Sequence, residues 1–354
     1  MTGRPGQARP RVRQTPLFAT CVPGLGRMLR REPESDGTTV TGTGSDGRVE
    51  MVFFAADRAG RAALMRSRLA EDVFAEIGRA NRAGGGGPSA VAAQAWQQDA
   101  AQRALSVWAE EVRPLSASMK YRVIAKVRSE RRFLRSELRQ AMTALIGTDK
   151  PRWTVAGDAQ LEIWITEWHD GQYVAGLRLS AAGTRQPGHH TADRPGALPP
   201  TLAAAMVQLA GDPRGVLLDP CCGRGTILAE ALAAGWAADG TDVDPAAVAA
   251  AGQIAPAASV QLGDARELLL PDASAGACVS RLPVSAQLQV PGGWQDWAGT
   301  VLRELSRVTR TGGAVVVLAP ELPRGAIPGS LRLRKTVRVR PASAASAIWA
   351  FRRA

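Results

Sequence analysis

The chain is poor in the residues that hold metals, close disulfide frameworks or cross membranes. Its four cysteines, Cys21, Cys221, Cys222 and Cys278, show no CxxC spacing, and its three histidines, His169, His189 and His190, show no HxxxH-type spacing. A zinc site needs converging ligands at such spacings, so no metal is expected. A disulfide between the adjacent Cys221 and Cys222 would be strained. No apolar run approaches the length of a bilayer span. The N-terminal residues carry arginines but lack the apolar stretch and small-residue cleavage site of a secretory signal. No membrane is expected, and the cytoplasm is the default location. Lysine is scarce too, at four of the 44 basic residues, while arginine carries the formal charge to +12. An excess of that size suits a polyanionic partner such as nucleic acid. Arginine enrichment also follows from coding bias, so local clusters of charge are more informative than the total.

What is present divides the 354 residues into two or three domains. Residues 1–16 read as a loose arginine-rich arm. Pro16–Met28 reads as a strand leading into a helix, and Val49–Phe54 as a strand. Ala59–Arg82 reads as a helix with Leu69, Val73, Phe74 and Ile77 on one stripe. Gly84–Gly87 with Pro88 reads as a linker, and Ala90–Val112 as a second helix with Leu105, Trp108 and Val112 inward. Leu161–Thr166 and Tyr173–Leu179 flank the turn His169–Gly171 as a hairpin. This half is α+β. Gly183–Pro200, which contains His189 and His190, reads as a polar connector. Beyond it, short strands at Gly215–Asp219, Trp236–Asp242, Ser259–Asp264, Gly276–Ser280 and Ala314–Leu318 alternate with helices. That alternation predicts a doubly wound, mostly parallel sheet. In the tail, Leu331, Leu333, Val337 and Val339 alternate with arginines, which predicts a closing antiparallel hairpin with one basic face.

Charge clusters most visibly between Met119 and Arg139, where eight residues are basic and two acidic. Met119, Tyr121, Val123, Ala125 and Val127 alternate with Lys120, Arg122, Ile124, Lys126 and Arg128, the period of a strand with a basic face. The following helix turns Phe133, Leu134, Leu138 and Met142 inward and Arg131, Arg132, Arg135 and Arg139 mostly outward. Such a face is commonly just solvated, but arginine suits phosphates and stacked bases. The candidate RNA contacts are Lys120, Arg122, Lys126, Arg128, Arg131, Arg132 and Arg135.

The stretch LLDPCCGRGT, Leu217–Thr226, sits where the first strand of the parallel sheet meets a helix, Ile227–Ala234. Such junctions bind nucleotides. Gly223 and Gly225 allow close approach of a ligand and positive φ, and the helix start offers free N–H groups. The dinucleotide pattern GxGxxG would need glycine where Leu228 stands, and Asp219 would repel a pyrophosphate. It suits a ligand bearing positive charge, such as the ammonium and sulfonium of S-adenosylmethionine. Asp242 ends the second strand, where a carboxylate can accept ribose hydroxyls. Asp264 ends the third, where one can accept an adenine amine. Carboxylates including Asp244 also gather at strand ends as turn formers and helix caps, and that reading stays open beside the other.

The segment DPCCGRGT resembles the D-P-F-C-G-S-G-T loop of the RNA methyltransferases that carry a THUMP domain. RPGALPPTLAAAMVQLA, Arg194–Ala210, is similar to the segment preceding that loop, and GTDVDP, Gly240–Pro245, to the ribose-binding strand end. FATCVPGLGRMLRRE, Phe18–Glu32, resembles the start of the family's N-terminal ferredoxin-like domain, and the basic strand, helix and hairpin resemble its THUMP domain. The resemblance implies a ferredoxin-like domain over 1–82, a THUMP domain over 83–182, a linker over 183–198 and a Rossmann-like class I methyltransferase domain over 199–354. It implies S-adenosylmethionine as cofactor, held by Asp219, Cys222, Gly223, Gly225, Thr226, Asp242, Val243, Asp264, Ala265 and Ser280. It implies RNA, foremost tRNA, as partner, and N2-methylation of a guanosine as reaction. Both loop cysteines read as small packing residues rather than nucleophiles.

The family's catalytic motif, N-L-P-[FY]-G, follows the fourth strand. There the asparagine and a backbone carbonyl accept from the target amine and the aromatic stacks on the base. Here the positions read Arg281, Leu282, Pro283 and Val284. Arginine only donates hydrogen bonds, and valine has no π-face. Three outcomes follow: Trp294 or Trp297 supplies the stacking, the substrate differs, or the chain binds RNA without transferring a methyl group.

Overall fold

The computed structural model describes residues 14–32, 37–82, 86–128, 132–180, 198–283, 293–322, 324–341 and 345–354. Most of the N-terminal arm, the Gly84–Gly85 part of the first linker, Arg131, nearly all of the 183–198 connector and Val284 lie outside these residues. The chain forms two compact units, one up to residue 181 and one from 182 onward, except that Cys21–Met28 and Gly47–Glu50 cluster with the second.

The first unit is built on one eight-stranded sheet. Along the chain come β1 (Thr15–Cys21), α1 (Gly26–Arg31), β2 (Thr38–Ser45), β3 (Glu50–Ala56), α2 (Arg58–Arg66), β4 (Asp72–Asn81), α3 (Pro88–Ala95), α4 (Gln98–Glu111), β5 (Lys120–Lys126), α5 (Arg135–Asp149), β6 (Thr154–Val155), β7 (Leu161–His169) and β8 (Gln172–Arg178). The spatial order is β2-β3-β1-β4-β8-β7-β5-β6. The sheet does not break at residue 82: β4 pairs antiparallel with both β1 and β8.

Two helix expectations are corrected here. Ala59–Arg82 is not one helix: α2 stops at Arg66, and Val73, Phe74 and Ile77 lie in β4. This strand is central and its first four residues are all buried. A strand covered on both faces loses its period-two signature, and DVFAEIG then passes for a helical stripe. Ala90–Val112 is likewise two helices, separated by Trp96 and Gln97. Leu134 stands outside the core at the start of α5, 49% exposed. Leu138, Met142 and Ile146 supply that helix's buried side.

The second unit follows the doubly wound expectation. Its elements are α6 (Pro200–Ala210), β9 (Val216–Asp219), α7 (Thr226–Ala233), β10 (Ala237–Asp242), α8 (Pro245–Ile254), β11 (Ser259–Leu262), β12 (Ala275–Arg281), α9 (Gly293–Val308), β13 (Thr309–Ala319), β14 (Leu331–Val339) and β15 (Ser346–Arg353). The sheet order is β11-β10-β9-β12-β13-β15-β14. The first five strands pair parallel, and the last two close the sheet as an antiparallel hairpin. One face packs Leu218, Val315, Val317 and Phe351 against Val301, Leu302 and Leu305 of α9. α6 is apolar nearly all round and buries Leu202, Met206 and their neighbours, the composition of a helix enclosed by its own fold. Leu333 is corrected to an exposed residue, because a register shift between Leu333 and Lys335 interrupts the tail's alternation. No helix among the described residues is long and apolar enough to cross a membrane.

Candidate functional site

The parallel strands bring the carboxyl ends of β9, β10 and β12 together. Gly240 of β10 is level with Asp219 of β9, and Cys278 of β12 with Leu218. Asp219 is 1% exposed. Its Oδ1 accepts the Ser280 hydroxyl at 2.7 Å and the Cys221 N–H at 3.2 Å. Burial pushes its carboxyl up to about 7, against the pull of these two bonds and with a smaller push from Asp242. The site thus holds a desolvated acid poised to accept a proton or a cation.

The loop after β9 is folded back onto β10. Cys222 N–H donates to the Thr241 carbonyl at 2.9 Å, and the Thr241 hydroxyl to the Pro220 carbonyl at 3.2 Å. Gly223 and Gly225 have φ of +52° and +83°. A side chain on Gly225 would meet Ala251 at 3.0 Å, whereas nothing lies within 4 Å of one on Gly223. The first glycine therefore faces open space and the second is wedged against α8. Thr226 opens α7. Burial drives both loop thiols far above the usual cysteine range, with Asp219 adding to it. As thiols at neutral pH they pack and do not attack.

Asp242 accepts Gly223 N–H on one carboxylate oxygen at 2.8 Å and Asp244 N–H on the other at 3.0 Å. Each oxygen keeps a second lone pair. Asp244 caps α8 by accepting Ala246 N–H, ahead of Pro245 at the first helical position, so its carboxylate has a structural occupation. Val243 is 66% exposed between them. Leu262, at the end of β11, is 61% exposed. It is a large apolar side chain on an open strand end that sequence patterning did not single out. Asp264 lies two residues beyond β11 and is held by Arg266, with a closest contact of 2.6 Å. That hydrogen bonding keeps its carboxyl below the usual range. An adenine amine would have to share it with a guanidinium. Ala265 is buried.

At the end of β12, Ser280 faces inward to Asp219, Arg281 is partly buried and pairs in register with Leu318, and Leu282 is buried. Burial pulls the Arg281 guanidinium below its usual range. Trp297 is 8% exposed and belongs to the α9 core, with Trp294 stacked on it at 5.7 Å between ring centroids. Trp297 is therefore corrected from a stacking candidate to a packing residue.

In the first unit, the basic strand and helix border a cleft of about 710 Å³ lined by Arg122, Ile124, Arg139, Thr143 and Gly157. Not every cation there is available. Arg122 pairs with Glu162 and donates to the Gly157 carbonyl, and Lys126 lies 4.2 Å over the Trp164 ring. Lys120, Arg128, Arg132 and Arg135 are exposed. No group of three or more potential metal ligands occurs among the described residues.

Residues 187–326 match the family described as UPF0020, an RMKL-like methyltransferase domain. The fold resembles that of TrmN from Thermus thermophilus, with TM-score 0.73 and 20% identity over 96% of this chain and 100% of that one. A possible methylase from Clostridium difficile 630 matches with TM-score 0.71 and 14% identity, over 96% and 98% of the two chains. A predicted N6-adenine-specific DNA methylase from Listeria monocytogenes matches with TM-score 0.65 and 16% identity, over 96% of each. At these identities the likeness is one of fold, and it is the class I methyltransferase fold. No curated protein matches the chain.

Proposed function

We propose that the chain is a cytoplasmic S-adenosylmethionine-dependent RNA methyltransferase that N2-methylates a guanosine, with tRNA as its foremost substrate. The observation that carries the reading is the grouping of a buried acid, Asp219, a backbone-anchored acid, Asp242, and open space at Gly223 on adjoining strand ends of a class I methyltransferase fold. The residues fit the cofactor. Asp219 would take its ammonium and Asp242 its ribose hydroxyls, while Val243 and Ala265 would flank the adenine. Gly223, Gly225, Cys222 and Thr226 would shape the wall beside the methionine moiety. When bound, the cofactor supplies an electrophilic methyl group. The chain's part is to hold the target amine in line with it. The Pro283 carbonyl would accept from that amine beside Arg281 and Leu282. THUMP and ferredoxin-like roles for the first unit agree with the sequence resemblance and with its basic face, where Lys120, Arg128, Arg132 and Arg135 would contact phosphate.

Incubating the protein with bulk tRNA and methyl-labelled cofactor, then digesting to nucleosides, tests the reading. Label in N2-methylguanosine is expected. Label in another nucleoside would retain the enzyme class and remove the guanosine assignment.

A second reading has a specific observation behind it. Arg281, partly desolvated at the end of β12, offers no acceptor where the related motif has asparagine. An RNA-binding protein that keeps the cofactor without transferring its methyl group would show both ligands bound and no label incorporated.

A further inference from the structure

Net charge is unevenly distributed along the chain. Residues 322–354 hold eight basic side chains and no acidic one, and 119–139 hold eight basic and two acidic. The remainder of the chain has 28 basic and 30 acidic residues, so coding bias does not spread charge uniformly. The 119–139 cluster is that of the basic strand and helix. The 322–354 cluster lies mostly on the β14–β15 hairpin of the methyltransferase unit and has no part in the cofactor site.

The hairpin's register concentrates these cations. Arg332 of β14 is the cross-strand partner of Arg352 of β15, and both are exposed. Residues directly opposite share a face, so two like charges rise from neighbouring positions, which disfavours the pair unless an anion lies between them; Arg352 also donates to the Gly312 carbonyl at 3.1 Å. Lys335 pairs with Ala350, two positions from Arg352, and so joins the same face. Arg334 is the extra residue where the register shifts. β14 is an edge strand whose one strand neighbour in the sheet is β15, and Pro23 meets the chain past its far end, at Arg340. None of Arg332, Arg334 or Lys335 forms an ion pair with a described carboxylate. Charge on an edge strand also discourages sheet-to-sheet aggregation, but that needs only a residue or two of either sign. A row of one sign without counter-charge is complementary to a phosphate backbone.

We infer that the β14–β15 hairpin is a second RNA-backbone surface of this protein, engaging phosphates through Arg332, Arg334, Lys335 and Arg352 independently of the basic strand of the first unit. The inference rests on the reading of the chain as an RNA enzyme and assigns it a second grip on the substrate. Such a surface adds affinity and orientation without sequence preference.

The test compares the parent with Arg332→Gln/Arg334→Gln/Lys335→Gln and with a charge-matched control, Arg58→Gln/Arg66→Gln/Arg103→Gln, all at exposed positions. Binding of fluorescent tRNA is titrated across a sodium chloride series, and cofactor binding is measured by calorimetry. The hairpin variant is expected to lose roughly tenfold or more in tRNA affinity near 0.1 M salt. Its plot of log affinity against log salt should be shallower by about two, since each lost phosphate contact removes about 0.7–0.9 from the slope. Its cofactor affinity should match the parent's. A parental slope in the hairpin variant, or an equal loss in the control, overturns the inference while leaving the enzyme reading intact. A parent that binds no tRNA removes the substrate assignment itself. Parent binding to phosphatidylglycerol vesicles in preference to tRNA, lost in the hairpin variant, would reassign the surface to a membrane.

Discussion

The Ser280 hydroxyl donates a 2.7 Å hydrogen bond to Oδ1 of Asp219, joining the ends of two parallel strands through residues sixty-one positions apart. Both side chains are essentially inaccessible. Ser280 thus acts through the acid, as a positioning residue. It offsets part of the burial that drives the Asp219 carboxyl up to about 7.

If Asp219 must be ionised to hold an ammonium, cofactor affinity should weaken as pH falls through about 7. Well below that value the loss should approach about tenfold per pH unit. Calorimetric titration between pH 5.5 and 8.5 checks this, and a flat profile would exclude Asp219 from the contact. Ser280→Ala should shift the midpoint upward and cost about 1–3 kcal/mol in binding. The folded value lies above the ordinary 3.8, so the acid's contribution to stability is full below 3.8 and is lost as pH rises through about 7. Asp219→Asn should flatten that part of the stability profile in the ligand-free protein.

The two loop glycines should respond differently. Gly225→Ala combines positive φ with a contact of 3.0 Å to Ala251, so the melting temperature should fall by more than strain alone predicts, about 1–2 kcal/mol. Gly223→Ala meets nothing within 4 Å. It should carry only the strain and should act chiefly by occupying cofactor space. Paired melting and calorimetry separate the two effects.

Arg281→Asn places an acceptor where the related motif has one. Label incorporation into tRNA should rise by an order of magnitude or more, with cofactor affinity within about twofold of the parent. A variant that transfers less than its parent would mean that Arg281 itself touches the substrate.

Buried Arg178 ties β8 to β4 and β7, pairing with Asp72 at 2.7 Å and Glu162 at 3.0 Å. Arg178→Met should destabilise the first unit by about 3–5 kcal/mol, because it removes the buried guanidinium that neutralises two buried carboxylates. Burial alone would raise the Glu162 carboxyl, but its bonds to Arg122, Trp164 and Arg178 hold it below the usual range. Its stabilisation is therefore present above the ordinary 4.5 and lost as pH falls through the depressed value. Acid denaturation of parent and Glu162→Gln, followed by circular dichroism, checks the sign.

Neutralising Lys120, Arg128 and Arg132 to glutamine should weaken tRNA binding and flatten its salt dependence with little change in melting temperature. Removing Arg122 or Lys126 should instead cost stability, because one is paired with Glu162 and the other lies over Trp164.

Local pattern was enough to determine the doubly wound half: short apolar runs ending in acids, the glycine loop before α7, and the alternating tail. Each of these is a constraint within a few residues, on period, on positive φ or on a cap, and so it is written in the order of amino acids. Only the tertiary structure decided that 72–81 is a central strand, since burial on both faces depends on β1, β8 and the helices that cover them. Only it paired Ser280 with Asp219, put Arg266 on Asp264 and turned Trp297 into the core. It also set Arg332 beside Arg352 on one exposed face. These are relations across sheet registers and packed layers, and a residue's neighbours along the chain do not specify which distant group will desolvate it or share its charge.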